Sequence, residues 1–407
     1  MHKYSPEFIR AIPKTDLHLH LDGSLRLSTL IDIAKAENIK LPAYTEDGLR
    51  QLVFKDAYAS LDEYLKGFGL TCSVMQQREF LERISYELAQ DNWNEGVRYI
   101  EVRFAPQLHM SDQMSFEDVM IAVDKGLRRA RTEVNAKLAP DEPGFEYGII
   151  VCAMRFCNEH FSKFYKSFFA LHKYSSQLET IRMASLELAK AAVALKNSSD
   201  VQVVGFDLAG SEYGYPADDH EESYDYVHKH FLHKSVHAGE AYGPESIFQA
   251  ITKLHADRIG HGLYLFDSDM VLSKDIADKE KYVRDLTSYI SDTRITIEVC
   301  LTSNLQTAPK LKSIGDHSLK QMLANKLSLT FCTDNRLVSH TTVSDEIKLA
   351  VENFDIAPGV LKDIIIYGFK RSFFYHPYPK RRNYVRRIID YYEMIEAQHG
   401  IAPQEPE

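Results

Sequence analysis

Asp16, His18 and His20 occupy alternate positions in the segment KTDLHLHLDGSL. Alternate side chains of a strand share a face, so the two imidazoles converge on one point, and Asp22 keeps the same parity if the strand runs on. A His-x-His pair at a strand end is poorly explained by packing and well explained by a metal, since zinc takes His nitrogen at about 2.0–2.1 Å from side chains aligned in advance. A catalytic metal also needs further protein ligands and a position open to water. Later segments offer them: His237 in KSVHAGE with Glu240 three residues on, His261 between two glycines in RIGHG, and Asp334 followed by Asn335 in LTFCTDNR. The small neighbours Ala238, Gly239, Gly260 and Gly262 let main chain and ligand approach closely, which a packing histidine does not require.

Residues so far apart in the chain need a scaffold that gathers strand ends. Eight short apolar or β-branched runs recur, each followed by a polar turn and a longer stretch of helical period, the pattern of repeated βα units. They fall at residues 14–21, 97–105, 145–154, 201–209, 233–238, 257–261, 294–302 and 327–333. An open doubly wound sheet is the alternative, but the glycine-rich turn that fold places after its first strand is missing. His18, His20, Gly210, His237, Glu240, His261, Asp334 and Asn335 all sit at the C-terminal ends of these runs, where a (β/α)8 TIM-type barrel builds its active site. The expectation is an α/β fold, one such barrel over residues 1–407, with extra helices after the first strand and between the third and fourth.

After the first strand, SLDEYLKGFGL spaces Leu61, Tyr64, Leu65 and Phe68 as one apolar helix face. That face either caps the mouth of a pocket or packs on the barrel exterior; periodicity allows both. Residues 156–200 exceed a bare connection with one short helix and read as an inserted helical hairpin. Its aromatic first half (Phe161, Phe164, Tyr165, Phe168, Phe169) suits core packing or, as the sharper reading, contact between copies in a homo-oligomer.

The net charge is -10, which gives no general attraction for nucleic acid or anionic lipid. The one basic run, PKRRNYVRR at 379–387, keeps helical spacing and reads as a solvated helix face. Five scattered cysteines without a CxxC pair suit reduced thiols. No run approaches the roughly 18 apolar residues of a membrane span, and the start lacks the apolar core of a secretory signal. A cytoplasmic protein with neither nucleic-acid nor membrane partner is expected.

Taken in order, KTDLHLHLDGSL, GVRYIEVRFAPQLH, CAMR, VGFDLAGSE, VHAGE, RIGHG, LTSN and CTDN resemble successive motifs of the adenosine deaminase family of the amidohydrolase superfamily, from near residue 7 to about residue 375. The resemblance implies one Zn2+ per chain, held by His18, His20, His237 and Asp334. It implies that Glu240 faces N1 of a purine as general acid, that His261 and Asp334 orient the attacking water at C6, and that Gly210 offers its N–H to N3. Asp22 would lie near the ribose 5′-hydroxyl, and His20 and Asn335 would complete the substrate contacts. The implied reaction is hydrolytic deamination of adenosine and 2′-deoxyadenosine to inosine or deoxyinosine and ammonia, a step of purine salvage or catabolism.

Three readings compete with it: a related deaminase, a non-catalytic relative and a two-metal hydrolase on the same barrel. A deaminase of adenine or of an N6-substituted purine nucleoside or nucleotide would use the same barrel; Asp22 in HLDG resembles the nucleoside enzymes, where adenine deaminases often have Glu. A non-catalytic binding relative would be expected to lose a ligand or the acid, and His18, His20, His237, Glu240, His261 and Asp334 are all present. Relatives with two metals carry a bridging lysine or carboxylate near the fourth strand end, but FDLAGSE has no lysine there. One position departs from the family: Asn335 stands where a second aspartate is commoner. In the family that carboxyl contacts purine N7, an acceptor, so it must be protonated or meet a protonated ring; the Asn335 amide, a donor at any pH, needs neither condition.

Overall fold

The computed structural model describes residues 4–59 and 61–401. Eight strands run β1 Lys14–His20, β2 Val97–Phe104, β3 Glu146–Met154, β4 Val203–Ala209, β5 His233–Ala238, β6 Arg258–His261, β7 Thr296–Val299 and β8 Ser328–Phe331. Each is parallel to the next, in the order β1 to β8. β8 meets β1 through a Leu19–Asp334 bridge, with His20 N donating to Asp334 O and Asp334 N to His18 O, both at 2.8 Å. The barrel is thus sewn shut by three of the residues singled out for chemistry.

Every residue of β1, β2 and β4 is buried, as expected where one face fills a barrel and the other lies under helices. β7 and β8 fall furthest short of their apolar runs. β7 starts only at Thr296, because Arg294 adopts a left-handed conformation (φ 58°) to end the helix Lys279–Thr293. It stops at Val299 because a helix, Leu301–Thr307, begins directly after Cys300. β8 ends at Phe331, and Asp334 beyond it turns left-handed (φ 59°).

The single helix expected over SLDEYLKGFGL is two, Leu61–Leu65 and Gly67–Ser73. The Leu61 side chain lies outside the described residues, but Tyr64, Leu65 and Phe68 all line the central cavity, so this face caps the mouth. Within 156–200 there are two helices, Lys163–Leu171 and Gln177–Ser198, the second opened by a Ser176–Glu179 capping box. Gln177–Ser198 packs along β3 and β4 as part of the barrel's outer layer, while Lys163 and Lys166 of the other line the cavity rim. The basic run lies in the helix Tyr378–Gln398 with Lys380, Arg382, Arg386 and Arg387 exposed. Among the described residues no helix is long and apolar enough to cross a membrane.

Candidate active site

The C-terminal mouth of the barrel opens into a cavity of about 910 Å³ whose wall includes His20, Asp22, Gly210, His237, Glu240, His261, Asp334 and Asn335. His18 sits behind them, fully buried. All nine residues named from the sequence therefore meet at one place.

At its floor His20 Nε2 lies 3.0 Å from His237 Nε2, and Asp334 Oδ1 lies 3.5 Å from both His18 Nε2 and His20 Nε2. Four donors each about 2.0–2.1 Å from a tetrahedral centre stand about 3.4 Å from one another. The His18 Nε2 atom is buried without a hydrogen-bond partner, which is costly for a nitrogen that meets no cation. Two nitrogens, a third facing them and one carboxylate oxygen form a donor set that fits zinc, and His18, His20, His237 and Asp334 could hold it.

The lone pairs point inward because carboxylates hold the outer ring nitrogens. His18 Nδ1 bonds Glu298 Oε2 at 2.8 Å, and His237 Nδ1 stands 3.0 Å from Asp207 Oδ2. This is the carboxylate–histidine arrangement that orients metal ligands. Arg103 ties the two carboxylates together, donating to Asp207 at 3.0 Å and to Glu298 at 2.9 Å. Arg258 Nε donates to Glu298 from the other side at 2.6 Å. Glu298, Asp207 and Arg103 were not singled out from sequence; a lone charge inside an apolar run, as in VRF, GFDLA and TIEVC, was the available signal, because a buried charge must have a partner.

Gly260 is required here on steric grounds: a Cβ at that position would fall 2.8 Å from His18 Cε1. Two functional residues, His261 (φ 66°) and Asp334 (φ 59°), occupy the left-handed region, which costs about 1–3 kcal/mol each and persists only where the surroundings enforce it.

Glu240 is buried, with its carboxyl 3.8 Å from His261 Nε2. Burial first, then the charges of Asp334 and Glu212, push its pKa well above the ordinary carboxylate range, which favours the protonated form. Glu212, also missed from sequence, accepts the main-chain N–H groups of Gly239, Glu240, Ala241 and Tyr242 at 2.8, 2.9, 2.6 and 2.9 Å. It thereby shapes the loop that presents Glu240 and helps keep that residue protonated. Burial, with His18 alongside, holds the His261 imidazole well below its ordinary pKa. Burial, opposed by main-chain hydrogen bonds and aided by the Asp334 charge, raises Asp22 to about 7.

Asn335 Nδ2 donates to the Tyr64 hydroxyl at 2.7 Å, and that hydroxyl pairs with Ser339 Oγ at 2.8 Å. The second amide hydrogen is left for another acceptor. The other histidines are elsewhere: His228 stacks on His255, and His233 faces Asp257 at 3.6 Å.

The sequence model of the adenosine deaminase family matches residues 13–177 and 174–391. The chain belongs to that family. It is similar to adenosine deaminase 1 of Streptomyces coelicolor, with 34% identity over 387 residues, 95% of this chain and 88% of the relative. Adenosine deaminase of Mycobacterium avium is 35% identical over 386 residues, 94% of this chain and 96% of that one. Among solved structures, the N6-methyl-AMP deaminase of Arabidopsis thaliana superposes with a TM-score of 0.71 at 25% identity, covering 95% of this chain and 98% of that one.

Proposed function

We propose that this member of the family is a zinc-dependent adenosine deaminase that converts adenosine and 2′-deoxyadenosine to inosine and deoxyinosine with release of ammonia. The observation that carries the reading is the buried Glu240 carboxyl, 3.8 Å from His261, at the mouth where the donors His18, His20, His237 and Asp334 cluster, with burial pushing the Glu240 pKa upward. When bound, zinc supplies a Lewis acid that brings the pKa of water towards about 7.

The chain's own residues do the rest. The Glu240 proton passes to N1 as the water oxygen bonds to C6, so negative charge never accumulates on the ring. The C6–N bond then breaks: the first proton of the water, carried by the Asp334 carboxylate, leaves with the amino group as ammonia, and the second, lost as the C6 hydroxyl becomes a carbonyl, returns to Glu240. His261 and the carboxylate of Asp334 orient that water, Gly210 offers its N–H to N3, and Asp22 receives the 5′-hydroxyl. The free amide hydrogen of Asn335 donates to N7 without any need for protonation. His20 adds to the wall against the nucleoside.

A purine nucleotide is the second reading, favoured by Lys66, Lys163 and Lys166 around the cavity; the buried Asp22 carboxyl at the ribose end argues against a phosphate there. No nucleic acid or membrane takes part in this reading, and the chain works in the cytoplasm. Contact between copies, if the protein assembles, would use the 156–200 segment, where Leu171 and Tyr174 are exposed. Ammonia release from adenosine, 2′-deoxyadenosine, adenine, AMP and N6-methyladenosine, with and without chelator, tests the proposal. Chelator-sensitive turnover of the two nucleosides is expected; turnover of AMP or adenine alone would overturn it.

A further inference from the structure

The LTSN segment has no role in the account so far, yet its last residue touches the site. Asn304 is fully buried on the helix Leu301–Thr307, and its Nδ2 lies 3.1 Å from His261 Nδ1. Its Oδ1 lies 3.2 Å from Nε2 of His317, itself buried. His317 Nδ1 in turn accepts the main-chain N–H of Leu319 at 3.0 Å.

The polarity of this chain of bonds is fixed from its far end. A main-chain N–H only donates, so His317 Nδ1 must carry a lone pair and its proton must sit on Nε2. That proton can only be given to an oxygen, so the Asn304 carbonyl faces His317 and the amide NH2 faces His261. His261 Nδ1 is then an acceptor, and a neutral ring with Nδ1 bare carries its hydrogen on Nε2. Nε2 is the atom turned towards Glu240 and the cavity.

We infer that His317 and Asn304 are positioning residues which lock His261 in the Nε2–H tautomer, so that His261 donates a hydrogen bond to the attacking water and does not take its proton. The inference rests on the deaminase reading for the identity of that water, but the tautomer itself follows from the bonds alone. Burial agrees with it, bringing the His317 pKa down to about 4 and favouring the neutral ring. The helix after β7 thus acts on the reaction from outside the cavity, since neither Asn304 nor His317 lines it.

Asn304→Asp reverses the polarity at one atom without changing shape: a carboxylate can only accept, so it would draw the hydrogen to His261 Nδ1 and leave Nε2 bare. Holding a catalytic histidine in the wrong tautomer costs up to about 10⁴-fold elsewhere. We expect kcat for adenosine to fall by about a thousandfold with KM changed less than about threefold. His317→Gln keeps both polarities, with its carbonyl for Leu319 N–H and its amide for Asn304, and should hold kcat within about threefold. In the zinc-loaded wild type, nitrogen-15 histidine NMR should report the Nε2–H tautomer for both rings, whatever substrate the enzyme prefers. An Nδ1–H signal from either ring, or Asn304→Asp with near-normal kcat, would overturn the inference. If Asn304→Asp does not fold, the wild-type spectrum decides alone. Failure of the wild type to deaminate adenosine while showing the expected tautomers would sink the deaminase reading and leave the lock standing.

Discussion

At the scale of single residues, the same side-chain types carry opposite assignments because their surroundings differ. Glu240 and Glu298 are both buried glutamates, yet burial and neighbouring negative charge push the pKa of one well above the usual carboxylate range, while Arg103, Arg258 and His18 hold the other well below it against its own burial. Asn335 stands where the family resemblance leads one to expect a second aspartate, and its amide is held by the Tyr64 hydroxyl. Asn335→Asp should make purine binding depend on pH: a carboxyl there donates only while protonated, so KM for adenosine should rise with pH above its pKa, while the Asn335 protein stays flat. KM measured from pH 5 to 9 in both proteins checks this, and identical profiles would remove the donor role from Asn335.

At the scale of elements, the site is built from strand ends and from the loops directly after them. The loop 239–242 depends on Glu212, which gathers four main-chain N–H groups that would otherwise be unsatisfied. Glu212→Gln removes the charge that raises Glu240, so Glu240 should lose its proton at lower pH. Its raised pKa keeps the acid competent below that value and lost above it. The alkaline limb of the kcat profile should therefore move to lower pH in the variant, with a fall in Tm of a few degrees from the weakened cap. An unmoved limb would separate Glu212 from the acid.

The elements were also the most legible part of the chain. Strand parity paired His18 with His20, and the apolar runs located all eight strands, because a parallel barrel strand is buried on both faces and reads as continuous. Less visible were events decided by neighbours distant in sequence. The early stop of β7 and the left-handed turns at His261 and Asp334 have no composition of their own. Glu212 and Asn304 acquire their partners only after closure, one from the loop 239–242 and one from His261. SLDEYLKGFGL reads as one amphipathic helix, whereas the chain forms two, Leu61–Leu65 and Gly67–Ser73, whose Tyr64, Leu65 and Phe68 line the cavity.

At the scale of the molecule, a buried charge network lies at the centre of the barrel, under the donor set. Arg103 bridges Asp207 on β4 and Glu298 on β7 and also donates to Leu17 O on β1 at 2.5 Å. Removing one partner from such a network leaves charges without compensation, at a cost of about 3–5 kcal/mol. Arg103→Met should lose that much in urea unfolding and also weaken metal retention in chelator competition, since His18 and His237 lean on the same carboxylates. Loss of stability with unchanged metal affinity would make the network structural only.

The central claim joins a metal centre to a neutral Glu240, and Glu240→Gln tests it most directly because glutamine keeps the shape and removes the proton to be given. The measurement is ammonia release from adenosine by zinc-loaded wild type and Glu240→Gln, with metal content determined on the same samples. One zinc per chain is expected in both, with kcat lower by about 10²–10⁴-fold in the variant. A Glu240→Gln protein that holds its zinc and still turns over adenosine at the wild-type rate would contradict it.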